Sequence, residues 1–311
     1  YNISTNLNDD RLLIFNRTTE SFDWEWKFRD HGFQKSGGGK YSEDWTHVND
    51  IDLIDERYVM VSIRNFDQIV IIDLLSDEIV LTLGVDGQHD IMYEQHNPQY
   101  LLSSENLPTI IVADSENDRI VEYEYSDNTW EQTWKLSGNL SWPRDADRLP
   151  NGNTLITDSL NHRVIEVTPL GKNVWEIRSP WGPYDAERLS LGDESSDSTL
   201  LTSRDMGVLG SYQLQDNHSE KDFKKPSFKN TLSSAFEGTF LDKHVTWFST
   251  RWAHISPWFY PVWMSDWDFA GVISAIFILF CWLSAELILR RKIIMVYAKH
   301  KLDNISFPPR P

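Results

Sequence analysis

Cysteine is almost absent: Cys281 is the only one in 311 residues, and it lies inside an apolar run. No disulfide can form within the chain, which excludes a disulfide-stapled fold, and stability must come from core packing and bound ions. Basic residues are scarce too, with 29 Lys+Arg against 47 Asp+Glu and a net charge of -18. Neutralising phosphates needs clustered Lys and Arg, so nucleic acid is excluded as a partner. Such a surface suits high salt, which screens its self-repulsion, so a halophilic source is expected; an ordinary acidic secreted protein is the alternative. No helical period runs through the first 180 residues, and no initiator Met or signal peptide precedes Tyr1. A processed start or a longer parent chain is the expectation. Apolar material, by contrast, is plentiful: 40% of the residues, with 14 Trp, can fill a sizeable core.

The longest apolar run is Phe269 to Leu289, FAGVISAIFILFCWLSAELIL, whose one charge is Glu286. About 20 such residues cross the hydrocarbon core of a bilayer as a helix. Arg290, Arg291 and Lys292 follow it, and Trp247, Trp252, Trp258, Phe259, Tyr260, Trp263 and Trp267 precede it. Aromatic rings favour the headgroup level and basic residues the cytoplasmic side, so residues 1 to about 245 are expected outside. Asn-x-Ser/Thr sequons at Asn2, Asn16, Asn139, Asn217 and Asn304 are too short a signal to fix orientation.

Strand signals fill the first 180 residues: YVMVSI, IVIIDLL, TIIVAD, IVEYEY, TLITD and VIEVT. They recur in order. Tyr58 to Ser62, Asn65 and Gln68-Ile69-Val70 form one copy; Ile110 to Asp114, Asn117 and Arg119-Ile120-Val121 the second; Leu155 to Asp158, Asn161 and Arg163-Val164-Ile165 the third. Each reads as strand, tight turn, strand, with the Asn taking the left-handed conformation of the turn. An outer strand follows, with Trp130 and Trp134 in one unit and Trp175 in the next, all expected in the core. A spacing of about 40 to 55 residues is that of propeller blades, whose radial closure protects sheet edges. The fold class expected is all-β: a β-propeller of four-stranded blades, four visible and six if an N-terminal part is missing, plus one C-terminal transmembrane helix. Residues 10–15 and 22–26 read as the later strands of a half-blade, and Thr199 to Thr202 as the first strand of a last one. The expected organisation is a propeller over 1–205, a polar linker over 206–246, an aromatic interfacial segment over 247–268, the membrane helix over 269–289 and a basic cytoplasmic tail over 290–311.

Polar motifs precede the innermost strands: Thr46-His47-Val48-Asn49-Asp50, Gln88-His89-Asp90, Gln95-His96-Asn97, Pro143-Arg144-Asp145-Ala146-Asp147 and Pro183-Tyr184-Asp185-Ala186-Glu187. In a propeller these positions line one mouth of the channel, so His47, His89, His96 and Arg144 are expected to converge, with Asp90, Asp145 and Asp185 beside them. The run WPRDADRLPNGNTLITDSLNHRVIEV (142–167) resembles the repeat of the arylsulfotransferase-like propellers, and HVNDI and QHD are similar to their His motifs. The resemblance, to a membrane-anchored, halophilic archaeal type, covers roughly residues 40 to 190. It implies a six-bladed propeller in which a His carries a sulfuryl group from an aryl sulfate to a phenol with no nucleotide cofactor. His89 or His96 would be the nucleophile, His47 an acid/base or oxyanion partner and Arg144 a sulfate clamp. Arg144 and Tyr184 stand where many such repeats carry His, so a binding propeller that holds a ligand or protein at the cell surface is the second reading. The same His and Asp positions also serve simply to bond neighbouring blades together. Asp145, Asp147 and Asp185, with Asp50, Asp52 and Glu187, offer oxygens suited to Ca²⁺. Zinc is disfavoured, because no Cys or His-x-x-x-His pair accompanies the histidines. The partners expected are the bilayer, a small aryl sulfate and phenol or a surface ligand, and membrane or surface proteins.

Overall fold

The structure, a computed structural model, describes residues 10–33, 43–189, 200–215, 228–261 and 263–303. The chain divides into two units, Tyr1–Lys225 and Pro226–Pro311. The first is built of sheets. β1 (Arg11–Asn16) and β2 (Ser21–Lys27) pair as a two-stranded ribbon. β3 (Val48–Leu53), β4 (Tyr58–Ile63), β5 (Gln68–Asp73) and β6 (Glu78–Gly84) form an antiparallel meander. So do β7 (His96–Leu102), β8 (Pro108–Asp114), β9 (Arg119–Ser126) and β10 (Thr129–Ser137), and then β11 (Pro143–Arg148), β12 (Thr154–Asp158), β13 (Arg163–Val167) and β14 (Asn173–Arg178).

The sheets stack like propeller blades, and the period of two along each strand explains why middle strands such as β4, β5 and β8 are apolar at successive positions. Successive side chains point to opposite faces, and each face meets a different neighbouring sheet. Val59, Val61 and Ile63 of β4 join Leu12, Trp26 and Phe28 in one core, while Met60 joins Ile110, Val112 and Val121 in the next. Ile111, Ala113 and Ile120 turn the other way and pack on Ile156, Ile165 and Val167. β7 accordingly lies against β3 on one side and β11 on the other. Among the described residues, the far face of the last sheet carries a small cluster of Leu149, Leu155 and Val164 with Ala186 against it. Trp175 is not core: it is 41% exposed, with the Arg188 guanidinium over its ring.

Each turn between a second and third strand is one 3₁₀ turn, at Arg64–Phe66, Ser115–Asn117 and Ser159–Asn161. The residue in the left-handed conformation is the one after it, Asp67, Asp118 or His162, each with φ of 51 to 52°. The repeating asparagines do something else. The side-chain amides of Asn65, Asn117 and Asn161 donate to the carbonyls of Asp44, His89 and Asn139, tying each turn to the segment that enters its own sheet. Two of the turns also reach forward: the Ser115 hydroxyl donates to Pro143 O and that of Ser159 to Pro183 O, both at 2.6 Å. Ser159→Ala should therefore lower the unfolding free energy by about 1 kcal/mol, read from urea denaturation.

Residues 200–215 depart from the expected layout. Leu200 to Thr202 form no strand, and Thr199 lies outside the described residues. The chain instead doubles back to the middle sheet, where β15 (Gly210–Gln213) pairs parallel with β10 and makes that sheet five-stranded. Within the span expected as linker lie β15, α1 (Phe228–Phe236) and the start of α2 (Asp242–Ile255). The second unit consists of these two helices and α3 (Asp266–Asp303). Residues Asp266–Arg291 of α3 are long and apolar enough to cross a membrane, and the large apolar side chains from Val272 to Leu289 are exposed. The sequons at Asn2, Asn217 and Asn304, and the tail beyond residue 303, lie outside the described residues.

Candidate functional site

Antiparallel pairing sets the start of each inner strand beside the 3₁₀ turn of its own sheet: Val48 faces Ile63, His96 faces Ala113 and Pro143 faces Asp158. Since the inner strands are neighbours, the second-strand turns and the strand starts of successive sheets collect at one end. His96, Arg144, Tyr184 and Arg64 meet there.

His96 is 1% exposed. Its Nδ1 lies 2.9 Å from Ser115 Oγ and 3.0 Å from Glu94 O. A carbonyl can only accept, and the single Ser115 proton is committed to Pro143 O. Nδ1 therefore carries the hydrogen, and Nε2 presents a bare lone pair. That Nε2 is buried and has no hydrogen-bond partner among the described residues. Burial is the main force against protonating the ring, and the positive charges of Arg144 and Arg64 add to it, so the pKa falls to about 2. The imidazole is thus neutral throughout the physiological range.

Arg144 is 8% exposed, and its guanidinium stacks 3.4 Å from the Trp142 ring and 5.4 Å from the Tyr184 ring. Tyr184 in turn sits edge-on to His96 at 5.8 Å. Among the described residues no carboxylate pairs with Arg144, and its Nε makes no hydrogen bond. Burial, with help from Arg64, lowers its pKa to about 10, against the opposing pull of Tyr184. Arg64 is ion-paired with Glu94, yet its buried Nε is also without a partner. Burial raises the pKa of Glu94, with Arg64 opposing. A neutral imidazole lone pair beside two guanidiniums, one lacking a counter-charge, suits an anionic group with an electrophilic centre.

The other expected residues are placed differently. His47 stands next to this group with φ of 46°; its ring pairs with Asp44, its carbonyl accepts from Arg64 N, and it reaches His96 only as a neighbouring charge. His89 is apart: its ring stacks on Tyr93 at 3.7 Å, and its Nε2 is 3.3 Å from Asp67. Asp145 is spent on packing, accepting from Thr157 Oγ1 and Ala186 N. Among the described residues no group of three His, Cys, Asp or Glu side chains is placed to hold a metal ion. Arg64 and Ser115 are additions to the expected set. Their signal lay in the repeats: Asp114-Ser115-x-Asn117 and Asp158-Ser159-x-Asn161 agree, whereas the first copy carries Ile63-Arg64-Asn65.

No protein-family model and no curated protein matches the chain. Among solved structures it is similar to a protein of unknown function from Bacteroides caccae, with 12% identity and a TM-score of 0.41 over 60% of this chain and 61% of that one. It is also similar to virginiamycin B lyase from Staphylococcus aureus, with 18% identity and a TM-score of 0.32 over 45% and 44%. A third is the WD40 β-propeller domain of Doa1, with 11% identity and a TM-score of 0.32 over 50% and 44%. The chain thus spans less than two thirds of each of them.

Proposed function

We propose that the protein is a membrane-anchored, arylsulfotransferase-like propeller, facing outward with its C-terminus in the cytoplasm, in which His96 relays a sulfuryl group. The observation that carries this reading is the bare, buried Nε2 lone pair of a neutral imidazole beside Arg144 and Arg64. Nε2 attacks the sulfur of an aryl sulfate, the sulfur–oxygen bond to the ring breaks, and the phenolate leaves with the electron pair. The Nδ1 proton stays on the ring, held by Glu94 O and Ser115 Oγ. An acceptor phenol then gives its proton to the departed phenolate, attacks sulfur and releases Nε2. No redox partner or nucleotide is required. Arg144 and Arg64 would hold the sulfuryl oxygens, whose charge is spread over three positions. His47 is a bystander in this scheme, and His89 has no role.

A second reading, a binding propeller at the cell surface, is favoured by the near-complete burial of His96 and Arg144. An assay separates the two. Purified protein in high salt is mixed with p-nitrophenyl sulfate and a phenol, alongside His96→Ala and His89→Ala. The transfer reading expects nitrophenolate release in the parent and in His89→Ala, loss of it to background in His96→Ala, and a sulfuryl adduct on the His96 peptide. Absence of transfer from folded parent protein across salt concentrations would overturn it. Sulfate-ester binding lost in Arg144→Ala would then establish the binding reading.

A further inference from the structure

In the second unit, α2 carries an exposed stripe that no other described part of the unit covers. Lys243, Trp247 and Arg251 follow one another at intervals of four, with Phe248 and Ile255 alongside, and all five are exposed. Trp247 is 64% exposed, Phe248 46% and Ile255 54%. The opposite side of the helix is occupied. α1 packs against it, and Ser249, on that side, is buried and bonded to Ser233 at 3.0 Å.

An aromatic bracket then fixes the α1–α2 hairpin to the beginning of α3. The Phe228 ring lies 5.4 Å from Trp252 and 4.9 Å from Trp267, and Trp252 lies 5.5 Å from Phe269. Phe228 N donates to Asp266 at 2.8 Å. The hairpin is therefore held at the N-terminal end of the apolar span, where further exposed rings, Phe259 at 72% and Trp263 at 78%, complete the surface. Rings flanked by Lys and Arg on one helix face match the layered chemistry of a lipid surface: apolar acyl boundary, aromatic-friendly carbonyl level, anionic phosphates.

We propose that the α1–α2 hairpin is an interfacial platform, with the Trp247–Phe248–Ile255 face of α2 set into the headgroup layer on the side where α3 enters the bilayer. Lys243 and Arg251 reach lipid phosphates there. The platform rests on the reading of α3 as a membrane span. It makes the anchor a bent, two-part device in which one helix crosses the bilayer and another lies along its surface.

Spin-label accessibility tests it. In a Cys281→Ser background, single cysteines replace Trp247, Phe259, Ile278 in the span and Leu75 as a water reference. The full chain is placed in nanodiscs of phosphatidylcholine and phosphatidylglycerol. The Trp247 and Phe259 labels should collide more with oxygen than with a water-soluble nickel chelate, as the Ile278 label does and the Leu75 label does not. Dominant nickel collisions at Trp247 and Phe259 would place the face in water, and rare collisions with both would place it under protein; either overturns the platform. An Ile278 label in lipid with Trp247 in water sinks the platform alone, whereas an Ile278 label in water sinks the span as well. As a label-free check, brominated lipid should quench the parent's tryptophan fluorescence more than that of Trp247→Phe.

Discussion

Arg148→Ala should lose about 3–5 kcal/mol of stability, the cost of leaving one charge of a buried pair behind. The Arg148 and Glu122 side chains are both 0% exposed, and they meet at 2.7 Å. Glu122 also accepts from the amide and hydroxyl of Ser203 and from Thr133 Oγ1, while Arg148 donates to Gly152 O and to Ser203 Oγ. Burial lowers the Arg148 pKa and Glu122 opposes it, so the charge is tolerated only because its partner is in place. Without the guanidinium, the buried Glu122 carboxyl loses its only basic ion-pair partner among the described residues. The measurement is the urea midpoint of the detergent-solubilised chain. Arg148→Met combined with Glu122→Leu should recover most of the loss, because two apolar groups leave no stranded charge. A single variant as stable as the parent would mean that water reaches the pair.

His96→Asn should flatten the acid sensitivity of the fold. An unfolded His binds a proton below its ordinary pKa of 6.5, whereas folded His96 resists one until about 2. Between these values the unfolded chain holds the extra proton. Stability therefore rises with pH across that window and is lost as pH falls, by up to about 1.4 kcal/mol per pH unit. Asn keeps a donor near the Nδ1 position but cannot be protonated. Unfolding midpoints compared at about pH 7 and about pH 4 should differ less in the variant than in the parent. An unchanged difference would mean that carboxylates alone make the protein acid-labile. The same variant should lose sulfuryl transfer, since it has no imidazole lone pair.

The middle strands were legible because β4, β5 and β8 carry apolar residues on both sides, and the repeats gave their order. Met60 and Val61 look alike in the sequence, yet the alternation sends them to different cores. β15 was not legible: it pairs with β10 some 76 positions earlier, at Gln213 and Ser137, through backbone register and one amide-to-hydroxyl bond that no sequence pattern announces. The site was half legible. His96 and Arg144 followed from the rule that inner strands begin at one mouth. His89 did not obey it, because it lies in the connection before β7 rather than at the strand's start, where Asp67 and Tyr93 hold it. Arg64 was hidden by its setting, a turn whose other copies carry serine.

The return of residues 200–215 to the middle sheet changes how the protein can come apart. A linear stack of sheets can shed its last member while the rest stays closed, since each sheet touches only its neighbours. Here Ser203 sits on Glu122 of β9 and Arg148 of β11, and β15 is zipped to β10. The final sheet is thus tied to the middle one twice, at Arg148 of its inner strand and through the segment that follows it in sequence, so its fraying disturbs the centre. Amide hydrogens in the last sheet should exchange at the same slow rate as those in the middle, in a single cooperative opening rather than a graded melt from the end.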